Sequence, residues 1–156
     1  MTTDATTVDR TMLINAPIDV IWRSLLEDQL PRSYGDKSFM HGEWIKGRSI
    51  GWYRRDEEEE RLLAKGRVLE VLSGRRLRYT HFNSSNDLPD EPASYTTVDI
   101  TLVELPEGRV RIQVRQGEYA GLDDAARLAS EQGRKWVDVL VELRGLCEAR
   151  VLQLAS

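Results

Sequence analysis

The sequence is poor in the residues and motifs that mark most metal and catalytic sites. Cys147 is the only cysteine among 156 residues, which excludes an intrachain disulfide and any metal site built from paired cysteines. There are two histidines, and the chain has no GxSxG, no GxGxxG, no phosphate-binding loop and no calcium-loop spacing. These absences predict no metal and no cofactor, and they assign no catalytic residue.

Long hydrophobic runs are also missing. No segment approaches the roughly 20 apolar residues that a membrane span needs, and residues 1–10 lack the apolar centre of a signal peptide. The formal net charge of −4 gives no general attraction for nucleic acid or anionic membranes. We therefore expect a cytoplasmic protein with no membrane span and no nucleic-acid partner.

What is present is the composition of an ordinary globular protein. Hydrophobic residues make up 40% of the chain and charged residues 31%. A length of 156 residues favours one domain with a sizeable core. We expect a single domain over residues 1–156, in which residues 1–5 are disordered.

The segment with the strongest helical periodicity is residues 122–154. Asp123 and Asp124 stand at its start, where carboxylates cap free N–H groups and meet the positive end of the helix dipole. Gly133 lies inside it and is expected to bend the helix. One helical face, at i, i+4, i+7 and i+11, is formed by Trp136, Leu140, Leu143 and Cys147.

The apolar arc of this helix is wider than one sheet covers. An apolar surface of this kind is typical of an interface between subunits. We therefore predict a homodimer that buries part of the excess. The excess consists of Val137, Val141, Val151, Leu152 and Leu154.

The hydrophobic period is two along most of the preceding chain, as in half-buried strands. A first strand at residues 6–15 leads into a short helix, with Asn15 as its cap and Pro17 in its first turn. The acidic run at residues 56–60 is expected at a hairpin tip. The other predicted strands are 39–45, 48–55, 64–73, 75–83, 95–105 and 109–119.

This order predicts an α+β domain of the helix-grip type. About six or seven antiparallel strands form a curved sheet, wrapped around the long C-terminal helix, with a short helix after the first strand. Strict alternation in the last hairpin indicates a sheet that is wet on one face and covered by the helix on the other. A cavity is expected between the sheet and the helix.

Four stretches, in order along the chain, resemble one known family. They are INAPIDVIWRSLLED at 14–28, GEWIKGRSIGWY at 42–53, GRVLEVLSGRRLRYT at 66–80 and EQGRKWVDVLVELRGLCE at 131–148. The chain resembles the START-like helix-grip (SRPBCC) superfamily, and within it the Hsp90-ATPase-activator homologues. The resemblance implies a hydrophobic cavity for a small apolar ligand and implies no shared catalytic residues. Chaperone activation belongs to larger members with an additional domain and is not carried over.

The predicted cavity wall consists of inward-facing residues of the strands and of the long helix. For the aromatic residues among them, plain core packing is the competing interpretation, whereas His81 would present a polar tip to a ligand. Gln116 and Glu118 lie either at the cavity mouth or where their strand leaves the core. The predicted wall residues are Trp52, Tyr79, His81, Val98, Ile100, Ile112, Val114, Gln116, Trp136 and Leu140.

Three functions are compatible with this pattern. The first is binding of a small apolar molecule in the cavity. The second is an enzyme of the cyclase, dehydratase or hydrolase type acting there, with His81, Glu118 and Tyr79 as the available acids or bases. The third is a protein-interaction or co-chaperone-like module, for which basic side chains on the outer sheet face are the only indication. These basic side chains are Arg76, Arg78, Arg109, Arg111 and Arg115. We expect Asp99 and Glu70 to pair with them.

Overall fold

One seven-stranded antiparallel sheet runs through the computed structural model, which describes residues 6–35 and 37–155. The strand order is β1-β7-β6-β5-β4-β3-β2. The prediction of disorder at residues 1–5 lies outside the described residues. The strands are β1 Val8–Ile14, β2 Ser38–His41, β3 Ser49–Asp56, β4 Glu59–Leu72, β5 Arg76–Asn83, β6 Thr96–Glu104 and β7 Val110–Gly117.

A short helix and a long helix complete the predicted fold. Helix α1 spans Ile18–Ser24 and continues as one π-helical turn over Leu25–Gln29, and helix α2 spans Ala125–Ala155. The α+β helix-grip architecture is confirmed, including the short helix after the first strand. Among the described helices, none is long and apolar enough to cross a membrane.

The predicted start of α1 is wrong by two residues. Pro17 has an extended backbone (φ −63°, ψ 150°) and occupies the N-cap position itself. Asn15 does not cap the helix, which has no side-chain cap hydrogen bond. The backbone N–H of Asn15 donates instead to the carboxylate of Glu148 at 2.9 Å. The contact ties the end of β1 to the last turns of α2.

Strand β2 is shorter than predicted. It ends at His41, because Gly42 adopts φ 120° and leaves the extended conformation. A Cβ atom at Gly42 would lie 2.6 Å from the backbone oxygen of Ser49, so the close approach requires glycine. Trp44 therefore lies in a loop, where it packs against the core.

The predicted hairpin tip at the acidic run is confirmed. The turn between β3 and β4 falls at residues 57–58, and Glu57 has φ 55°. Next to the turn, Arg55 forms an ion pair with Glu60 at 2.7 Å. The neighbouring cation thus offsets part of the repulsion among like charges.

Helix α2 covers the inner face of the sheet, as its apolar stripe predicts. It begins at Ala125, and Asp124, just before it, binds Arg127 through its carboxylate at 3.2 Å. Gly133 lies within an unbroken helix, where a Cβ atom would meet Nη2 of Arg10 at 2.5 Å. Its absent side chain leaves room for this arginine of β1. The predicted stripe is buried: Trp136, Leu140, Leu143 and Cys147.

Ion pairs cover much of the outer sheet face. Arg76 binds Asp99 through two hydrogen bonds of 2.6 and 3.0 Å and lies 3.8 Å from Glu70. Arg115 pairs with Asp9 at 3.4 Å. The expected pairing with Asp99 and Glu70 is confirmed, and it leaves little free positive charge along β5.

Candidate functional site

The loop that follows α1 brings Tyr34 to the inner face of the sheet. The backbone N–H of Leu30 donates to the carbonyl of Leu25 at 2.9 Å, a π-helical bond that ends the helix. The indole N–H of Trp52 then donates to the carbonyl of Leu30 at 2.8 Å. Trp44 donates likewise to Leu26, at 3.2 Å. Two tryptophans thus fix the segment that positions Tyr34.

Five aromatic rings meet between this loop and strands β3 and β5. The ring centroids of Trp44 and Tyr79 lie 5.2 Å apart, and those of Trp52 and His81 lie 5.7 Å apart. The rings of Tyr34 and His81 are nearly parallel, with an interplanar angle of 5° and a centroid distance of 6.2 Å. The Tyr34 hydroxyl also forms a short hydrogen bond to Nε2 of His81.

A buried polar network reaches His81 from the opposite side. The indole N–H of Trp136 donates to Oε1 of Gln116 at 2.7 Å, which fixes the orientation of the amide. The amide nitrogen of Gln116 therefore faces Oγ1 of Thr96 at 2.9 Å and Nδ1 of His81 at 3.5 Å. Since Nδ1 faces a donor, the tautomer that satisfies the network carries its hydrogen on Nε2. In that tautomer His81 donates to the oxygen of Tyr34.

Burial keeps this network uncharged at neutral pH. Burial, and then the nearby charge of Lys135, lowers the pKa of His81 from 6.5 to about 4. Burial raises the pKa of Tyr119 to about 12 and also raises the pKa of Tyr34 and of Tyr79. His81 and the three tyrosines are therefore polar but neutral.

A cavity of about 300 Å³ opens beside His81, between the sheet and α2. This volume is at the lower end of the roughly 300–1,000 Å³ range of ligand pockets. An adjoining gap of about 20 Å³ lies among the aromatic rings. The cavity wall is more polar than the sequence predicts. It includes His81, Asn83, Ser85, Asn86, Leu88, Ser94, Thr96, Tyr119, Leu122, Leu128, Glu131, Gln132 and Lys135.

The ten predicted wall residues are distributed between the cavities and the packed core. His81 lines both the cavity and the gap. Gln116 binds His81 from behind. As ligand contacts, all ten stay predictions. Three others line the gap: Trp52, Tyr79 and Trp136. Five lie buried in the core, outside both linings: Val98, Ile100, Ile112, Val114 and Leu140.

Several side chains at the site had no signal in the sequence. Tyr34 lies in a loop without periodicity, and Ser94 lies in the irregular segment between β5 and β6. Lys135 is adjacent to Trp136 but lies off the apolar face that the spacing identified. Glu118 lies where β7 ends and accepts hydrogen bonds from Thr6 and Thr7, outside the cavity lining.

The cysteine and the second histidine of the chain do not form a further catalytic or metal site among the described residues. Cys147 is buried, and burial raises the pKa of its thiol. His41 lies 3.5 Å from Glu60 on the surface. Among residues 6–35 and 37–155, no three His, Cys, Asp or Glu side chains lie close enough together to hold a metal ion.

Comparison of the sequence with protein families gives one match that spans most of the chain. A model of the family described as "Activator of Hsp90 ATPase homolog 1-like protein" matches residues 15–148. No significant match was found among curated proteins.

Solved structures with the same fold are numerous. Protein ChR145 of Cytophaga hutchinsonii is 24% identical with a TM-score of 0.73, and the alignment covers 96% of this chain and 99% of that one. The Aha1 dimer of Colwellia psychrerythraea is 14% identical with a TM-score of 0.67, covering 91% and 96%. A protein of Nitrosomonas europaea is 20% identical with a TM-score of 0.68, covering 96% and 99%. At these identities the likeness establishes the fold alone.

Proposed function

The chain belongs to the family of Activator of Hsp90 ATPase homolog 1-like proteins, and from its cavity we propose that it binds a small, largely hydrophobic molecule between the sheet and α2. The observation that carries the proposal is the cavity of about 300 Å³ beside the Tyr34–His81 pair. Leu88, Leu122 and Leu128 supply apolar wall, and His81 supplies a fixed polar tip. Such a combination of apolar area with a few oriented polar groups is typical of small-molecule sites.

An enzyme acting in the same cavity is the second candidate. The Tyr34–His81 pair is the observation in its favour, since a phenol and an imidazole in contact form a route for a proton. A histidine pKa of about 4 makes His81 a weak base at neutral pH. Because His81 is a weak base, cyclase, dehydratase or hydrolase activity has less support than ligand binding alone.

Protein interaction has less support. The basic side chains that suggested it are largely engaged, as in the ion pairs of Arg76 with Asp99 and of Arg115 with Asp9. Association of two copies of the chain is a separate matter, for which exposed valines on α2 provide the surface.

Binding is tested with N-phenyl-1-naphthylamine, a neutral probe whose fluorescence rises in apolar surroundings. We expect saturable fluorescence with the wild-type protein. The variant Leu122→Trp enlarges a half-buried residue of the cavity wall and should abolish the signal. The control Leu72→Trp makes the same change at a leucine that is 47% exposed, outside the cavity lining, and should bind normally.

Native mass spectrometry of protein purified from its own cells provides the complementary test. A retained small molecule supports binding, and its chemical conversion on incubation would favour the enzyme instead. If no molecule is retained and the probe does not bind, both cavity functions are wrong.

A further inference from the structure

Resting on the proposed function, we propose that the ligand is an organic anion, a carboxylic acid with a compact apolar body, whose carboxylate pairs with the ammonium of Lys135.

Lys135 lies where three openings between α2 and the rest of the fold meet. It lines the cavity, the adjoining gap and an outer groove of about 520 Å³ beside the loop after α1. Its ammonium sits 4.3 Å from the ring centroid of Tyr34, whose hydroxyl binds His81. The cation therefore lies over the aromatic cluster, with ligand-accessible space on either side.

Three of the four acids that line the cavity or the groove together with Lys135 are engaged elsewhere. Glu131 shares the cavity wall, but its carboxylate binds Arg127 at 3.0 Å. In the outer groove, Glu142 accepts a hydrogen bond from Gln29 at 3.0 Å.

Asp28 and Asp138 also line that groove; Asp28 pairs with Arg150 at 2.8 Å, and Asp138 forms no salt bridge among the described residues. Within the described part of the chain, no carboxylate forms a salt bridge with Lys135. Partial burial lowers the pKa of Lys135, and Glu131 acts in the opposite direction. Lys135 is exposed and its ammonium rests on the Tyr34 ring, so a ligand carboxylate in the cavity would be its counter-charge.

The same cavity wall also carries a hydroxyl donor, that of Ser94. Ser94 is 7% exposed and lines the cavity. Its backbone N–H donates to the carbonyl oxygen of Glu91 at 2.9 Å, and its hydroxyl is a donor on the cavity wall. A carboxylate, which accepts several hydrogen bonds, suits both Ser94 and Lys135.

The size and lining of the cavity limit the rest of the ligand. A volume of about 300 Å³ admits a compact body such as a bicyclic aromatic ring. Three leucines, Leu88, Leu122 and Leu128, form its apolar part. The chemistry is thus that of a small aromatic or aliphatic acid, and a neutral hydrocarbon would leave the cation unpaired.

The test compares 2-naphthoate with 2-naphthamide, which share one body and differ in charge. Isothermal titration calorimetry of the full chain at low ionic strength should find about tenfold tighter binding of naphthoate, the gain expected from a charge-assisted hydrogen bond. The preference should shrink with added salt. Lys135→Met keeps much of the stem and should remove the preference, whereas Lys135→Arg should retain most of it. Arg134→Met, which removes the same charge at the neighbouring exposed residue outside the cavity lining, should change nothing.

The outcomes separate the two proposals. Equal affinity for both probes, unchanged by Lys135→Met, would overturn the anion inference and leave ligand binding intact. Binding of N-phenyl-1-naphthylamine without binding of either naphthyl probe would also overturn the anion inference alone. If none of the three probes binds, the proposed function fails together with it.

Discussion

The indole N–H of Trp136 lies 2.7 Å from Oε1 of Gln116, and this hydrogen bond orients the amide that faces His81. The indole is a donor only, so the Gln116 amide turns its nitrogen toward Oγ1 of Thr96 and toward Nδ1 of His81, 3.5 Å away. A residue on α2 thus favours one tautomer of a histidine on β5, the one with its hydrogen on Nε2. That hydrogen faces Tyr34.

Removing this donor should destabilise the fold measurably. Trp136 is 4% exposed, so Trp136→Ala should lower the free energy of unfolding by about 3–5 kcal/mol, the range for a large buried aromatic side chain. Trp136→Phe keeps a ring but leaves the Gln116 oxygen unpaired, which should cost about 1–3 kcal/mol. Urea denaturation measures both. If Gln116→Leu in the Trp136→Phe background restores no stability, the unpaired oxygen is not the cause.

The buried imidazole should make stability depend on pH in a defined window. The pKa of His81 is about 4 in the folded protein against 6.5 ordinarily, so the unfolded chain binds more protons between those values. Stability is therefore fully present above pH 6.5 and falls as the pH drops toward 4. Between pH 7 and pH 5 the loss should be on the order of 2 kcal/mol.

His81→Gln provides the control for this prediction. Glutamine does not titrate, so the part of the pH dependence that belongs to His81 should disappear in urea denaturation at pH 7 and pH 5. The carboxylates with lowered pKa values, such as Glu60 and Asp90, act mainly at lower pH, because their ordinary values are 4.5 and 3.8. An unchanged slope in the variant would mean that His81 titrates normally.

The two tryptophans that hold the loop after α1 should differ in their contribution. Trp52 is 1% exposed and donates to the Leu30 carbonyl at 2.8 Å, so Trp52→Phe should cost about 1–3 kcal/mol through an unpaired buried acceptor. Trp44 is only partly buried and its bond to Leu26 is longer, 3.2 Å, so Trp44→Phe should cost less. Thermal unfolding of both variants gives the order. The reverse order would contradict this account of the loop.

Two glycines should respond in opposite ways to substitution by alanine. At Gly66 a Cβ atom would lie 1.7 Å from the backbone oxygen of Thr80, so Gly66→Ala should disrupt the pairing of β4 with β5 and cost at least about 3 kcal/mol. At Gly133 the Cβ atom would meet only the mobile end of Arg10. Gly133→Ala should therefore gain up to about 1 kcal/mol from helix propensity. Loss of stability at both sites would mean that Arg10 is held rigidly.

The exposed valines of α2 lead to the prediction about oligomeric state. Val137 and Val141 are 40% and 45% exposed and lie one helical turn apart. We expect a homodimer by sedimentation equilibrium, and Val141→Lys should shift it toward monomer. Val103→Lys, at an equally exposed valine of the sheet, should have no effect. A wild-type monomer at high concentration would remove the prediction.

Periodicity predicted the architecture because each element buries one face. The stripe from Trp136 to Cys147 and the alternation along β6 and β7 are visible in the sequence because one face of each element is buried in the core. Local backbone events were harder to predict. Gly42 ends β2 early because it approaches Ser49, a contact between residues that no pattern relates.

The candidate site was predicted less completely than the fold for a similar reason. His81 was identified because it shares the period of Leu77 and Tyr79, and all three are buried. Tyr34 and Lys135 reach the site from a loop and from the side of a helix, so their roles depend on tertiary geometry. The cavity is also less apolar than the sequence predicts. Ser94 lies in an irregular segment and Asn83 at the end of β5, and neither position carries a hydrophobic pattern.

The position of β1 at the edge of the sheet has a consequence for synthesis on the ribosome. Its partner is β7, with Val8 opposite Gln116 and Ile14 opposite Val110. During synthesis, β1 therefore has no partner strand until β7 has been made. Until then its backbone groups are unpaired and available to other chains. We expect the nascent chain to gain its complete sheet only late in translation, so that a ribosome stalled before β7 holds an aggregation-prone intermediate.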